Sequence, residues 1–197
     1  HGIIVLNVYN ERLLRLLAET QIPKVFLDTS SLVSPDELNG DLLLMESRNS
    51  VRNITAHLLE KGCTLPGFMG DIGYAQSNRE RYEGFCQALM DAGKTPNPSL
   101  CLTTPLGIDS YREEIDSFLS SLSRMPDAFV CASDYVACIL MQLLEKRGLR
   151  VPEDVAVSGF DNNIEDLLAE NLTTVQVFNE ELGSRLALQI LYRIKYP

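Results

Sequence analysis

The chain has 197 residues, 45% of them hydrophobic and 22% charged, and carries a net charge of -10. That balance is ordinary for a folded globular protein and excludes a low-complexity or disordered chain. No apolar run is long enough to span a bilayer, and so acidic a chain argues against a broad basic face gripping a phosphate backbone.

In chain order, the pattern opens with a predicted strand at Ile3–Val8, and Asn10 then caps a helix at 11–19 with Leu13, Leu14, Leu16 and Leu17 inward. Strands follow at 24–27 and 42–45, and Ser50 leads into a helix over 51–61 that stops at Gly62. A strand at 67–69 precedes a helix over 79–92, with Asn78 as its cap and Gly93 as its stop. A strand at 100–103 and a helix at 110–123, preceded by Asp109, come next. After a strand at 128–131, Ser133 caps a helix over 134–147, which Gly148 closes in the left-handed position. A strand at 155–158, a short helix near Ile164–Leu168, a strand at 174–177 and a helix at 179–193 complete the chain. Several strands are apolar at consecutive positions, as strands covered on both faces should be. Alternating strands and helices with crossovers of this length predict parallel α/β sheets.

The predicted division is a partial N-terminal lobe over 1–46, a C-terminal lobe over 47–172, and a crossover strand and helix over 173–197 returning to the first lobe. The first 45 residues hold too few elements to close a core unless the last helix covers them. The abrupt first strand reads as the start of a fragment of a larger two-lobed protein. The N-terminus lacks the basic head and cleavage site of a signal peptide.

Five cysteines, Cys63, Cys86, Cys101, Cys131 and Cys138, are irregularly spaced and mostly sit in apolar runs. They read as buried free thiols in a reducing compartment. With two histidines and no paired Cys motif, neither a zinc site nor any cofactor is implied. No nucleophile–base pair, strand–turn–helix elbow or phosphate-cradling glycine loop is evident, so catalysis has little support.

The stretch FVCASDYVACILMQLLEKRGLRVPEDVAVSGFDN, residues 129–162, resembles the effector-binding domain of the LacI-type bacterial transcription regulators. That family pattern runs from an apolar strand through Ala-Asn/Ser-Asp, an Ala-rich helix and Gly-Leu-Arg-Val-Pro-Glu-Asp to a Val-rich strand and Gly-Phe/Tyr-Asp. The segments RYEGFCQALMDAG (81–93), LTTVQVFNEELGSRLALQIL (172–191) and IPKVFLD (22–28) are similar to further family segments. Departures are local: Cys63 replaces the usual His after the helix ending at Gly62, Arg52–Thr55 replaces a Gly-x-x-Ala stretch, and His1-Gly2 stands for Asp-Gly.

The resemblance implies a two-lobed periplasmic-binding-protein-like fold, with the N-terminal lobe incomplete here and a closing C-terminal strand missing. It also implies a cytoplasmic homodimer that binds a small-molecule effector, touches no membrane, and reaches operator DNA only through a helix-turn-helix domain absent from this chain. A periplasmic sugar-binding protein of a transport system is the alternative, and a sensor fused to some other output domain is a third reading.

Ligands of open α/β sheets bind where strands end and helix N-termini converge. Asp161 follows the strand at 155–158, where a carboxylate can accept two sugar hydroxyls or pair with a cation, or else simply hold a turn. Arg81 matches a ligand-contacting family arginine by its spacing to Gly84-Phe85, the alternative being a solvated helix ion pair with Glu80 or Glu83. Ser133 is a helix cap in either reading, and in relatives the matching residue reaches the effector. Asp28 resembles the family aspartate facing the effector from the N-terminal lobe. Tyr74 and Gln76 offer an aromatic face and an amide. Glu46 reads as a hinge residue, Phe160 as packing beneath the site, Asp134 as support for the loop, and Arg79 as a weaker counterpart of Arg81.

Overall fold

The computed structural model describes residues 1–107, 109–162 and 172–196. Strand β1 (Ile3–Leu6), helix α1 (Glu11–Glu19), β2 (Lys24–Leu27) and β3 (Asp41–Leu43) make the first lobe, a parallel sheet ordered β1-β2-β3. Asn10 caps α1 through its side-chain oxygen, which accepts from Leu13 N at 3.0 Å. Leu14 of α1 then packs on Val5, Phe26 and Leu38 on one face of the sheet. The other face is covered by α6 (Asn179–Lys195), whose Leu186 and Ile190 pack on Val25.

The second lobe runs through α2 (Arg48–Glu60), β4 (Pro66–Met69), α3 (Gln76–Asp91), β5 (Cys101–Leu102), α4 (Tyr111–Ser121), β6 (Ala128–Cys131), α5 (Asp134–Lys146) and β7 (Ala156–Ser158). Its sheet is also parallel, ordered β5-β4-β6-β7. All four residues of β4 and of β6 are buried, which explains their unbroken apolar spelling. Ile115, Phe129, Leu140 and Leu144 fill the α4–α5 face, while Val51, Phe68, Phe85 and Phe160 fill the α2–α3 face. Gly84 is fixed by that second layer, because a β-carbon there would overlap the Arg48 carbonyl oxygen of α2. Gly148, at φ 74°, turns the chain out of α5 as expected. Among the described residues no helix is long and apolar enough to cross a membrane.

Several predicted boundaries move, each for a physical reason. Helix α2 starts at Arg48 because the Glu46 carboxylate accepts from Asn49 N at 2.6 Å and Ser50 N at 2.9 Å, so Glu46 caps this helix and Ser50 does not. Helix α3 starts at Gln76, which places Asn78 inside it, where its amide donates to the Asp71 carbonyl at 3.0 Å. Helix α4 follows Ser110, one residue beyond Asp109.

The strand predicted at 174–177 is reduced to two isolated bridges, Ser158 with Thr173 and Asp161 with Gln176. The backbone bonds Gly159 N to Thr173 O, Asp161 N to Val175 O and Val177 N to Asp161 O keep this segment alongside the chain that follows β7, without a continuous ladder. The short helix predicted near Ile164–Leu168 lies outside the described residues. All five cysteines are free thiols; Cys131 and Cys138 are buried as expected, whereas Cys63, Cys86 and Cys101 are only half-buried.

Candidate functional site

The C-terminal ends of both sheets face one another across a cavity of about 470 Å³, lined from both lobes. Polar residues follow three of the strands, and each adopts a left-handed backbone: Asn7 after β1 (φ 52°), Asp28 after β2 (φ 60°) and Asp161 beyond β7 (φ 113°). Such conformations are costly for residues with a side chain and are tolerated best by Asn and Asp. Positions of this kind gather where function constrains the backbone.

Asp161 is held by its backbone, its N–H donating to the Val175 carbonyl at 3.0 Å and its carbonyl accepting from Val177 N at 3.2 Å. Its side chain is left 41% exposed at the cavity. Among the described residues its charged partner is Arg81, with 3.8 Å between Nη2 and Oδ1, beyond hydrogen-bond reach. Burial pushes the Asp161 carboxyl up to about 6, Arg81 pulling it down and Asp134 adding to the rise.

Arg81 projects from α3 into the base of the cavity and is almost fully buried. Nη1 donates to the Ala132 carbonyl, and the guanidinium lies 3.6 Å above the Phe160 ring, a cation–π contact. Phe160 is fully buried and underlies the site, as the sequence suggests. Nε of Arg81 is buried with no hydrogen-bond partner among the described residues. Burial pulls the Arg81 pKa down, while Asp161 and Asp28 work against that pull.

Asp28 lines the cavity, but its carboxylate is already occupied. It accepts from Thr29 N (2.8 Å), Ser77 N (3.3 Å), Ser77 Oγ (2.6 Å) and Tyr9 OH (3.3 Å). Helix α3 has Ala75 in the capping position, which offers no side-chain acceptor. Asp28 of the opposite lobe supplies it. The same seam includes Gln76 N donating to Thr29 O (2.8 Å), a bridge between Ser30 and Ala75, and Arg79 Nη2 donating to Ser31 Oγ (3.2 Å).

The remaining expected residues divide. Ser133 lines the cavity and caps α5, its Oγ accepting from Val136 N at 3.3 Å while the hydroxyl proton can still be donated. Tyr74 lines it too, its ring 4.3 Å from that of Tyr9 at 46°. Gln76 is not among the lining residues, because as the first residue of α3 its amide pairs one turn along with Glu80 at 3.2 Å. Asp134 supports the loop, accepting from Thr174 Oγ1 at 2.6 Å.

Asn7, Tyr9, Asp71 and Tyr111 also line the cavity and were not singled out from sequence. Asn7 falls inside the strand expected at 3–8, which hid it, and Asp71 sits two residues past β4, where a polar residue after an apolar strand was the available signal. A larger hollow of about 650 Å³ lies beside His57, Asp127 and Pro152. It adjoins the N-terminal ends of β6 and β7, where open sheets do not present their ligand sites.

A profile for periplasmic binding protein-like domains matches residues 55–197. The HTH-type transcriptional repressor PurR of Aliivibrio fischeri is 31% identical, the match covering 98% of this chain and 58% of the repressor. The solved structure of the transcriptional regulator CelR in complex with cellobiose superposes with a TM-score of 0.84 at 26% identity, covering 98% of this chain and 59% of that one. A regulator assigned to the LacI family from Sanguibacter keddieii superposes with a TM-score of 0.75 at 26% identity, covering 91% of this chain and 65% of that one. The chain thus spans about three-fifths of the length of the relatives it matches. Strand order, interlobe cavity and these likenesses agree: the chain belongs to the periplasmic binding protein-like domain family, in the form found as the effector-binding domain of LacI-type regulators.

Proposed function

We propose that the chain is the sensing part of a transcription regulator, binding a small polar metabolite of the sugar class between its lobes. The observation that carries this reading is the pairing of an under-used carboxylate, Asp161, with Arg81, whose buried Nε has no partner among the described residues. A carboxylate accepts two hydroxyl protons and a guanidinium donates to hydroxyl oxygens, so adjacent hydroxyls on one ring satisfy both. Ser133, Asn7 and the phenols of Tyr9 and Tyr74 extend that polar lining.

Binding between lobes controls output only if affinity differs between lobe arrangements. The seam joining residues 28–31 to residues 75–79 exists only when the lobes meet there. At about 1 kcal/mol net for each hydrogen bond, it biases the pair by a few kcal/mol. A ligand favouring the same arrangement adds to that bias. In a homodimer, the change would reposition a DNA-binding domain elsewhere in the protein. The likeness to repressors named as HTH-type favours this reading over a transport receptor.

The test is calorimetric titration with a panel of sugars and purine bases, followed by operator binding in a protein that joins this chain to its DNA-binding domain. A ligand that binds and shifts operator affinity supports the proposal. A bound ligand with no effect on operator affinity overturns the regulatory half of it.

A further inference from the structure

The sensing reading leaves open which ligands the cleft admits, and the charges lining it bear on that choice. Among the described residues four charged side chains line the cavity, three of them carboxylates (Asp28, Asp71 and Asp161) and one a guanidinium, Arg81. Arg81 has limited capacity for an anion: it lies over Phe160, donates to the Ala132 carbonyl and sits 3.8 Å from Asp161, which leaves the buried Nε as its unpartnered donor among the described residues. Arg79, the neighbouring cation on α3, reaches across to Ser31 and is not among the lining residues. Residues 163–171, which follow Asn162, read Asn-Ile-Glu-Asp-Leu-Leu-Ala-Glu-Asn and include no Lys or Arg.

Asp71 stands just beyond β4, where its Oδ1 accepts from Gly73 N at 2.8 Å. Three phenols lie close enough to feel these carboxylates, although burial is the larger influence on each. Burial raises the pKa of Tyr74 and of Tyr111, and Asp71 raises both further. Burial and then Asp28 do the same for Tyr9. All three phenols are neutral hydroxyl partners with apolar ring faces.

We propose that the cleft selects by charge, admitting an uncharged hydroxyl-bearing ring and rejecting its phosphorylated or carboxylated analogues, with Asp71 as the added determinant of that choice. Two arguments run together. Ionised carboxylates only accept hydrogen bonds, so they need a ligand that donates; sugar hydroxyls donate, whereas the fully ionised phosphoryl group of a sugar phosphate only accepts. Among the described residues, a dianion entering the site also meets Asp71 and Asp161, with the Arg81 guanidinium, 3.8 Å from Asp161 and donating to the Ala132 carbonyl, as the one cation lining the cavity to offset them.

The test titrates the full chain with glucose, cellobiose, glucose 6-phosphate and inorganic phosphate, by calorimetry and thermal shift. Wild type is compared with Asp71→Asn and with the Asp71→Asn/Asp161→Asn double variant, each first checked for native circular dichroism. The expected result is a neutral sugar binding at least ~100-fold more tightly than glucose 6-phosphate, equivalent to ~2.7 kcal/mol, with a narrower gap in Asp71→Asn. Glucose 6-phosphate binding wild type as tightly as glucose would overturn charge selection while leaving the sensing reading standing. Should neither sugar bind, the sensing reading loses its sugar class, and the phosphate arm still decides the charge question. Wild type unmoved by about 10 mM phosphate, with the double variant stabilised, supports it; a double variant equally unmoved contradicts it.

Discussion

Asp28 and Asp161 are built alike and used differently. Each follows a short parallel strand, each takes a left-handed backbone, and each faces the same cavity from its own lobe. Yet Asp28 accepts four hydrogen bonds, two of them from Ser77 of the other lobe, while Asp161 has one ion-pair partner, Arg81 at 3.8 Å, among the described residues. One aspartate joins the lobes and caps α3; the other lines the cavity with no side-chain hydrogen bond among the described residues. The difference teaches that a strand-end carboxylate marks the cleft, but only its count of protein partners tells a structural role from a binding one.

The contrast is broken most severely at Asp28. Asp28→Ala should cost about 3 kcal/mol of stability in urea denaturation, because it strands the buried Ser77 donors and leaves α3 uncapped. A loss below about 1 kcal/mol would mean that the seam contributes little to the closed arrangement.

At Asp161 the effects should part company. Asp161→Asn should weaken ligand binding by at least ~100-fold, yet slightly stabilise the ligand-free protein. The gain stays under about 1 kcal/mol, since the side chain is 41% exposed and solvent screens much of the penalty. Equal losses of binding and stability would erase the contrast with Asp28.

Ser77→Ala sharpens the picture from the other side. It removes the 2.6 Å contact to Asp28 but keeps the backbone donor, so about 1 kcal/mol should be lost, with ligand affinity falling modestly through lobe closure.

The smallest effect is one of pH. The Asp161 carboxyl is raised from 3.8 to about 6, so the ligand-free fold holds a proton that the unfolded chain has released. Its contribution to stability is complete below pH ~4 and is lost as pH rises through 6. The difference in Tm between wild type and Asp161→Asn should therefore open over that window, the variant gaining relative to wild type. Affinity for a hydroxylated ligand should run the opposite way, rising through pH 6 and levelling above it.

Much of this architecture is legible in the sequence, for reasons that differ by region. The strands β4 and β6 are spelled by unbroken apolar runs, and α5 by Ser133 before it and Gly148 after it, so local chemistry suffices. The start of α3 is not legible, because its cap comes from Asp28, 49 residues away in the chain. Nor is the role of Glu46, whose carboxylate caps α2 from two positions before that helix begins. The strand expected at 174–177 has the right alternation, but β7 ends at Ser158, so the pairing beyond it is a bridge at Asp161 and Gln176. Within the site, Asp161, Arg81, Ser133, Asp28 and Tyr74 do line one cavity, while Gln76 turns to Glu80. That Asp28 is already occupied follows only from the contact between lobes.

The most direct test is a crystal structure of the chain with the tightest binder from a panel of neutral sugars and purine bases. The account predicts the ligand between the lobes, with a polar group within ~3 Å of the Asp161 carboxylate and another beside Arg81, and with the Asp28–Ser77 contact intact. A ligand bound elsewhere, or Asp161 turned onto Arg81 in a direct hydrogen bond with side chains filling the cleft, would contradict it.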